Sequence, residues 1–169
     1  MNIRPEQAMD VFTIKTINDL AFEGHKESEL IAGIRQTDAF IPELSLVAEW
    51  EGEIAGHVLF SHISIEDETE SFPSLALAPV AVHPDHQLKG IGSNLIREGI
   101  NRAKKLGHSS VVVLGHPEYY PTFGFIPAEQ KGIVAPFEVP SEAFMVLELV
   151  PNALDLVKGK VKYSDPFNI

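Results

Sequence analysis

The sequence predicts an α/β fold of mixed (α+β) type, a central β-sheet flanked by helices, on three observations. Two apolar runs, Leu75 to Val82 and Ser109 to Leu114, bracket a helical pattern with an apolar stripe at Ile91, Leu95, Ile96, Ile100 and Ala103. A strand–helix–strand unit of this kind calls for parallel strands joined by a right-handed crossover. Upstream, Leu44 to Trp50 and Ile54 to Ile65 are separated only by Glu51-Gly52-Glu53, which reads as a β-hairpin. The chain of 169 residues, 44% hydrophobic and 22% charged, is long enough to bury a real core as one domain of ordinary size.

Taken in order, Asn2 to Pro5 reads as a short first strand. Ala8 to Phe22 repeats apolar residues at Met9, Phe12, Ile14, Ile17, Leu20 and Ala21 with a roughly helical period, which Gly24 and His25 interrupt. Lys26 to Gln36 is a second short helix, with Leu30, Ile31 and Ile34 on one face. Thr37 to Glu43, marked by Pro42, leads into the hairpin, and Glu66 to Ser71 is a solvated acidic loop. Leu75 to Val82 is almost wholly apolar, as suits a central strand covered on both faces. The long helix ends at Gly107, with Arg102, Lys104 and Lys105 suited to the negative end of its dipole. Gly115 to Phe125 is dense in turn formers and aromatics, Gly124 to Pro127 opens a further extended piece, and Ala143 to Val150 is the last strand. Asn152 to Ile169 is expected to form a short helix plus an extended tail.

Composition removes several functions. No cysteine is present, so disulfides, thiolate metal sites and cysteine nucleophiles are excluded, and group transfer must use another nucleophile or go directly from donor to acceptor. Acidic residues exceed basic ones by 24 to 13, a formal charge of −11 that opposes nucleic-acid binding. That charge favours cationic partners such as amines, or serves solubility alone. No apolar run is long enough to span a bilayer, and the N-terminus lacks a secretory pattern, so neither membrane nor export is expected and the cytoplasm is the default. The seven histidines show no metal-ligand spacing, and no metal is expected.

The chemistry concentrates in the loop Gln87-Leu88-Lys89-Gly90-Ile91-Gly92 between the apolar strand and the long helix. Glycines let the main chain approach a ligand, and first-turn N–H groups have no intrahelical partner, so a strand–turn–helix of this form suits a phosphate. A dinucleotide fingerprint would need a third glycine where Leu95 stands, and no GxxxxGK[S/T] occurs. On these residues alone a plain turn is as good a reading.

The stretch PVAVHPDHQLKGIGSNLI, followed by a strand and then YYPTFGF, resembles the GNAT superfamily of N-acetyltransferases, in its YhbS-type bacterial subgroup. Gln87, Gly90 and Gly92 match the family signature Q/R-x-x-G-x-G/A, and the likeness runs from Ile3 to about Val150. The resemblance implies an acetyltransferase domain over residues 1–150, with residues 151–169 as an extension, built on a sheet whose central parallel strands splay apart. It implies acetyl-CoA as co-substrate, its pyrophosphate held by main-chain N–H groups from Leu88 through Lys89, Gly90, Ile91 and Gly92 to Ser93, with Lys89 the nearest cation. It further implies that Val80, Ala81 and Val82 pair their backbone with the pantetheine arm, at a strand position where Pro79 costs no ladder bond. An amine-bearing acceptor, small molecule or protein, would be acetylated directly in a ternary complex, and a homodimer is a habit of the family.

Tyr120, four residues before Gly124, stands where the family has a tyrosine that protonates the departing thiolate and contacts the cofactor. Tyr119 is its understudy, while Phe123 and Phe125 read as core around Gly124. The general base is open among His57, His62, Glu23, His25, Glu27, His83 and a water chain. His57 and His62, five residues apart, should face opposite sides of a strand. His116 either contacts the cofactor or caps a turn, and the backbone N–H near Val80 is implied for the oxyanion. A GNAT-like cofactor-binding sensor without catalysis is the alternative reading.

Overall fold

The computed structural model describes residues 1–169. The chain divides into two compact units, Met1–Ser61 with Ala78–Arg102, and His62–Leu77 with Ala103–Ile169. Its sheet is mostly antiparallel and flanked by helices, as expected. No helix is long and apolar enough to cross a membrane.

In the first unit, β1 (Asn2–Pro5) pairs antiparallel with β2 (Ser45–Trp50), and β2 with the first part of β3 (Glu53–Glu66). Glu51 and Gly52 at the hairpin tip have φ of 52° and 83°, the left-handed pair that matches strand twist in a two-residue turn. The end of β4 (Ser71–Val82) lies on the other side of β3 and is tied there by the His83 N–H to Ala55 carbonyl bond of 2.8 Å. Helices α1 (Val11–Phe22) and α2 (Lys26–Arg35) pack on each other and bury Ile14, Ile17, Ile31 and Ile34. Both helices form where the sequence placed them, but Ala8–Asp10 is a 3-10 turn ahead of α1, and Met9, Phe12 and Leu20 of the expected apolar period are exposed.

The third helix, α3 (Ile91–Lys105), crosses β3 at two glycines. A Cβ at Gly56 would stand 3.0 Å from both Ile91 Cγ2 and Leu95 Cδ1, and one at Gly99 would overlap the ring of the fully buried Phe60. One glycine on the strand and one on the helix thus permit a close crossing, which fixes where α3 begins. Arg102 completes the seat by donating to the Ile3 carbonyl at 3.2 Å.

In the second unit β4 runs parallel to β5 (Ser110–Leu114), Leu75 opposite Val111 and Ala76 opposite Val112, as the crossover pattern requires. β5 pairs antiparallel with β8 (Phe144–Glu148), which also takes β6 (Ile126–Pro127). The Ser74 and Ser110 hydroxyls bond at 2.8 Å in the buried interior between these strands. Ile65, Val112, Val146 and Val161 belong to the core.

The C-terminal segment differs from its expectation. Instead of a helix and a tail it forms turns and then β9 (Gly159–Lys162), paired antiparallel with Ser64–Glu66 of β3 and parallel with β7 (Ile133–Val134). The reason is local: only Val161 of the Lys-Val-Lys alternation is buried, so four residues gain a strand from their partners, not from their own apolarity. β4 also begins earlier than expected, because Asp67 accepts N–H bonds from Thr69 and Glu70 and shortens the acidic loop to a turn.

The crossing of α3 is directly testable. Gly99→Ala should destabilise the protein by about 1–3 kcal/mol, the usual cost of overpacking a core, whereas Gly24→Ala, whose Cβ would meet nothing within 4 Å, should be near neutral. Urea denaturation of the two variants measures the difference, and equal stabilities would show that Phe60 yields without cost.

Candidate functional site

The loop between β4 and α3 is built from its own hydrogen bonds. His83 Nδ1 accepts from the Asp85 N–H at 3.1 Å and caps a 3-10 turn over Pro84–His86. Gln87 then donates its Nε2 to the Val82 carbonyl at 3.2 Å, folding the loop back on the strand end. Leu88 and Gly90 follow with φ of 65° and 81°. Glycine takes that conformation freely; a fully exposed leucine there is strained by roughly 1 kcal/mol and gains no packing.

The first bond of the α3 ladder runs from the Asn94 N–H to the Gly90 carbonyl at 3.0 Å. The N–H groups of Ile91 and Gly92 precede it and have no carbonyl within the helix, at its positive end. Gly92 is informative for a different reason. Its φ is not left-handed, and a Cβ there would meet only Val82 Cγ2 at an ordinary 3.5 Å. Neither backbone nor packing demands a glycine at this position, so the space above it suits something outside the chain. Lys89 projects from the same loop, its Nζ 5.4 Å from the centre of the Trp50 ring and 3.5 Å from His86 Nδ1. Val80 and Val82 are half-buried and Ala81 buried, the alternation of a strand end. Gln87 to Ser93 and Val80 to Val82 both lie in the first unit, joined by the Gln87–Val82 bond.

Among the candidate bases, His57 and His62 do face opposite sides of β3, one fully buried and the other exposed. Arg35 grips the Glu6 carboxylate through Nε at 3.0 Å and Nη2 at 3.1 Å. The Ser45 hydroxyl donates its single proton to that carboxylate in a short bond and so must accept from His57 Nε2–H, 2.9 Å away. This places the lone pair on Nδ1, which is buried without a partner. Burial, aided by the Arg35 charge, pushes His57 down to about 3. A ring with no exposed surface is unsuited to take a proton from an external amine. His25 is exposed and bonded to Asp19 at 2.9 Å, and Glu23 is exposed in a left-handed residue ending α1. The Glu6–Arg35–Ser45–His57 chain and the Trp50–Lys89 contact were invisible in the sequence; an arginine and a glutamate 29 residues apart carry no local signal.

Tyr120 belongs to the second unit. It opens a 3-10 turn, Tyr120–Phe123, and its N–H and that of Tyr119 both reach the His116 carbonyl, so the backbone of His116 does close a turn. Gly115 lies under the ring: a Cβ there would overlap Tyr120. Edge-on contacts to Tyr119 at 5.1 Å and Phe125 at 5.7 Å enclose it, leaving 7% exposed. Burial first, and Tyr119 second, push its phenol up to about 12. Such a group is a donor that keeps its proton at any physiological pH.

The sequence model of the Acetyltransferase (GNAT) family matches residues 13–125. The chain is 37% identical over 161 residues to the uncharacterized N-acetyltransferase YjhQ of Escherichia coli (strain K12), covering 93% of this chain and 88% of that protein. It resembles the crystal structure of the GNAT family N-acetyltransferase YhbS from Escherichia coli in complex with CoA, at 30% identity and a TM-score of 0.90, over 99% of this chain and 92% of that one. A GNAT family acetyltransferase from Brucella melitensis, in complex with acetyl-CoA, is similar at 32% identity and a TM-score of 0.77, over 98% and 97% of the two chains.

The buried His57 predicts an acid limb of stability. Its folded value lies near 3 against 6.5 when unfolded, so the native state binds fewer protons between these values. The stabilisation is complete above pH 6.5 and is lost as pH falls towards 3. His57→Gln, which keeps a donor for Ser45, should shrink the stability loss between about pH 7.5 and pH 4.5 by about 2–3 kcal/mol in urea denaturation. Parallel losses in both proteins would mean that His57 is not held neutral.

Proposed function

We propose that this chain, which belongs to the acetyltransferase (GNAT) family, moves an acetyl group from acetyl-CoA to a primary amine by direct attack in a ternary complex. The observation that carries the reading is Gly92: a glycine in the first turn of α3 whose missing side chain serves neither backbone nor packing. A diphosphate suits that space, with the N–H groups of Ile91 and Gly92 as donors and the helix end as a partial positive charge. The two relatives of known structure named above hold CoA and acetyl-CoA.

In this reading the cofactor is held by Gln87 to Ser93, and the backbone of Val80 to Val82 takes the pantetheine arm as an added strand. The deprotonated amine attacks the thioester carbonyl, an N–C bond forms and the C–S bond breaks. Tyr120 donates a hydrogen bond, then its proton, to the departing sulfur, while the new amide nitrogen sheds a proton to solvent and solvent returns one to the phenolate. A phenol near 12 is a weaker acid than a thiol near 8.5, so it supports the sulfur only as charge develops on it. The phenol value already includes its burial, and the same apolar surroundings raise the thiol as well, which narrows that difference. With His57 sealed in the core, the amine loses its proton to solvent water.

The burial of Tyr120 favours a second reading, in which the ring is a core residue and the chain a cofactor-binding sensor without turnover. Calorimetry and an acceptor screen with thiol detection separate the possibilities. Gly92→Glu should lower acetyl-CoA affinity at least a hundredfold, since a carboxylate would occupy the phosphate position; unchanged affinity sinks the loop assignment. With an accepted amine, Tyr120→Phe should reduce kcat by about 10–100-fold and leave the KM for acetyl-CoA within about threefold. Undiminished kcat removes Tyr120 from the chemistry. Because neither Tyr120 near 12 nor His57 near 3 titrates between pH 6 and 9, the rate in that window should rise with pH as the amine itself deprotonates.

A further inference from the structure

We infer that Trp50 is a positioning residue for phosphate recognition, its ring holding the Lys89 ammonium at the mouth of the α3 N-terminus. The inference rests on the acetyl-CoA reading of the loop. Trp50 is the only tryptophan of the chain and the last residue of β2, half-buried beside the Glu51-Gly52 turn. Lys89 Nζ sits 5.4 Å from the centre of its ring, within cation–π range, and Lys89 immediately precedes Gly90.

The chemistry of this contact differs from that of an ion pair. Glu51 and Glu53 follow the ring closely in sequence, and either carboxylate would neutralise an ammonium and satisfy its N–H donors. A ring face attracts the cation without cancelling its charge or accepting its bonds in the usual geometry, so the remaining N–H groups stay available to an anion. A free lysine side chain also carries rotamer entropy that binding would have to remove. The ring restricts it in advance, and His86 Nδ1, 3.5 Å from Nζ, is a second restraint. His86 in turn meets His83 edge-on at 5.8 Å, linking this cluster to the turn that shapes the loop. Lys89 thus waits as a charged, oriented donor next to the helix end.

Calorimetry with acetyl-CoA on the full chain tests this, using Trp50→Leu, Trp50→Phe, Lys89→Met and the Trp50→Leu/Lys89→Met double variant. Trp50→Leu should weaken binding about three- to tenfold, and Trp50→Phe, which keeps a ring face, should restore most of it. Lys89→Met should weaken binding about tenfold, and the double variant no further than Lys89→Met alone. The tryptophan emission, reporting this single ring, should shift on Lys89→Met and on adding acetyl-CoA. Wild-type affinity in Trp50→Leu, or losses that add in the double variant, would overturn the inference, because the ring would then act independently of Lys89. Failure of the acetyl-CoA reading is distinct: the wild type itself would show no specific binding, or Gly92→Glu would bind acetyl-CoA as tightly as the wild type.

Discussion

Everything proposed for the loop depends on where α3 starts, and that is decided by its close crossing of β3. Gly56 lets Ile91 and Leu95 approach the strand backbone, and Gly99 lets Phe60 fill the space beneath the next turns. A helix held at two points along its length has little freedom to slide or tilt, so its first N–H groups point along a fixed line. The apolar stripe supplies the adhesion, but the glycines set the distance. A larger residue at either point would lift the helix and move the donors, with no change in the loop itself.

The loop adds a local constraint of its own. Gln87 bonds back to Val82, His83 caps the turn, and Leu88 accepts a left-handed conformation that costs free energy without a packing return. Strain of this kind persists where the surroundings over-determine the backbone. Here the tie at Val82 and the start of α3 lie within a few residues on either side. The loop therefore has a shape before any ligand arrives, which lowers the ordering cost of binding.

How much was legible in the sequence follows from the range of the interactions concerned. The stripe Ile91–Leu95–Ile96–Ile100, the hairpin turn and the parallel strands Leu75–Val82 and Ser109–Leu114 are local periodicities, and each is found as read, within a residue or a few at its ends. The glycine loop was legible for the same reason, being a short motif. β9 was not, because Gly159–Lys162 buries one side chain and gains its strand from β3 and β7, residues far away in sequence. The Glu6–Arg35–Ser45–His57 chain was not legible either; it joins three elements and the residue after β1, and turned a histidine that looked like a base into a sealed core group. Trp50 passed unnoticed because its partner, Lys89, is brought to it only by the fold.

The formal charge of −11 conflicts with a site for a polyanion only if binding is imagined as a matter of net charge. Backbone dipoles at a helix end carry no net charge, so they attract phosphate at contact range without weakening the acidic field felt further away. One lysine, kept un-neutralised by an aromatic ring, adds a charge at the loop while leaving the chain strongly acidic. Extended polyanions such as nucleic acid meet repulsion over most of the surface, whereas a compact ligand whose phosphates reach one helix end does not. A protonated amine is drawn by the same field that opposes nucleic acid. Acidity and anion binding are therefore compatible here because they act at different distances.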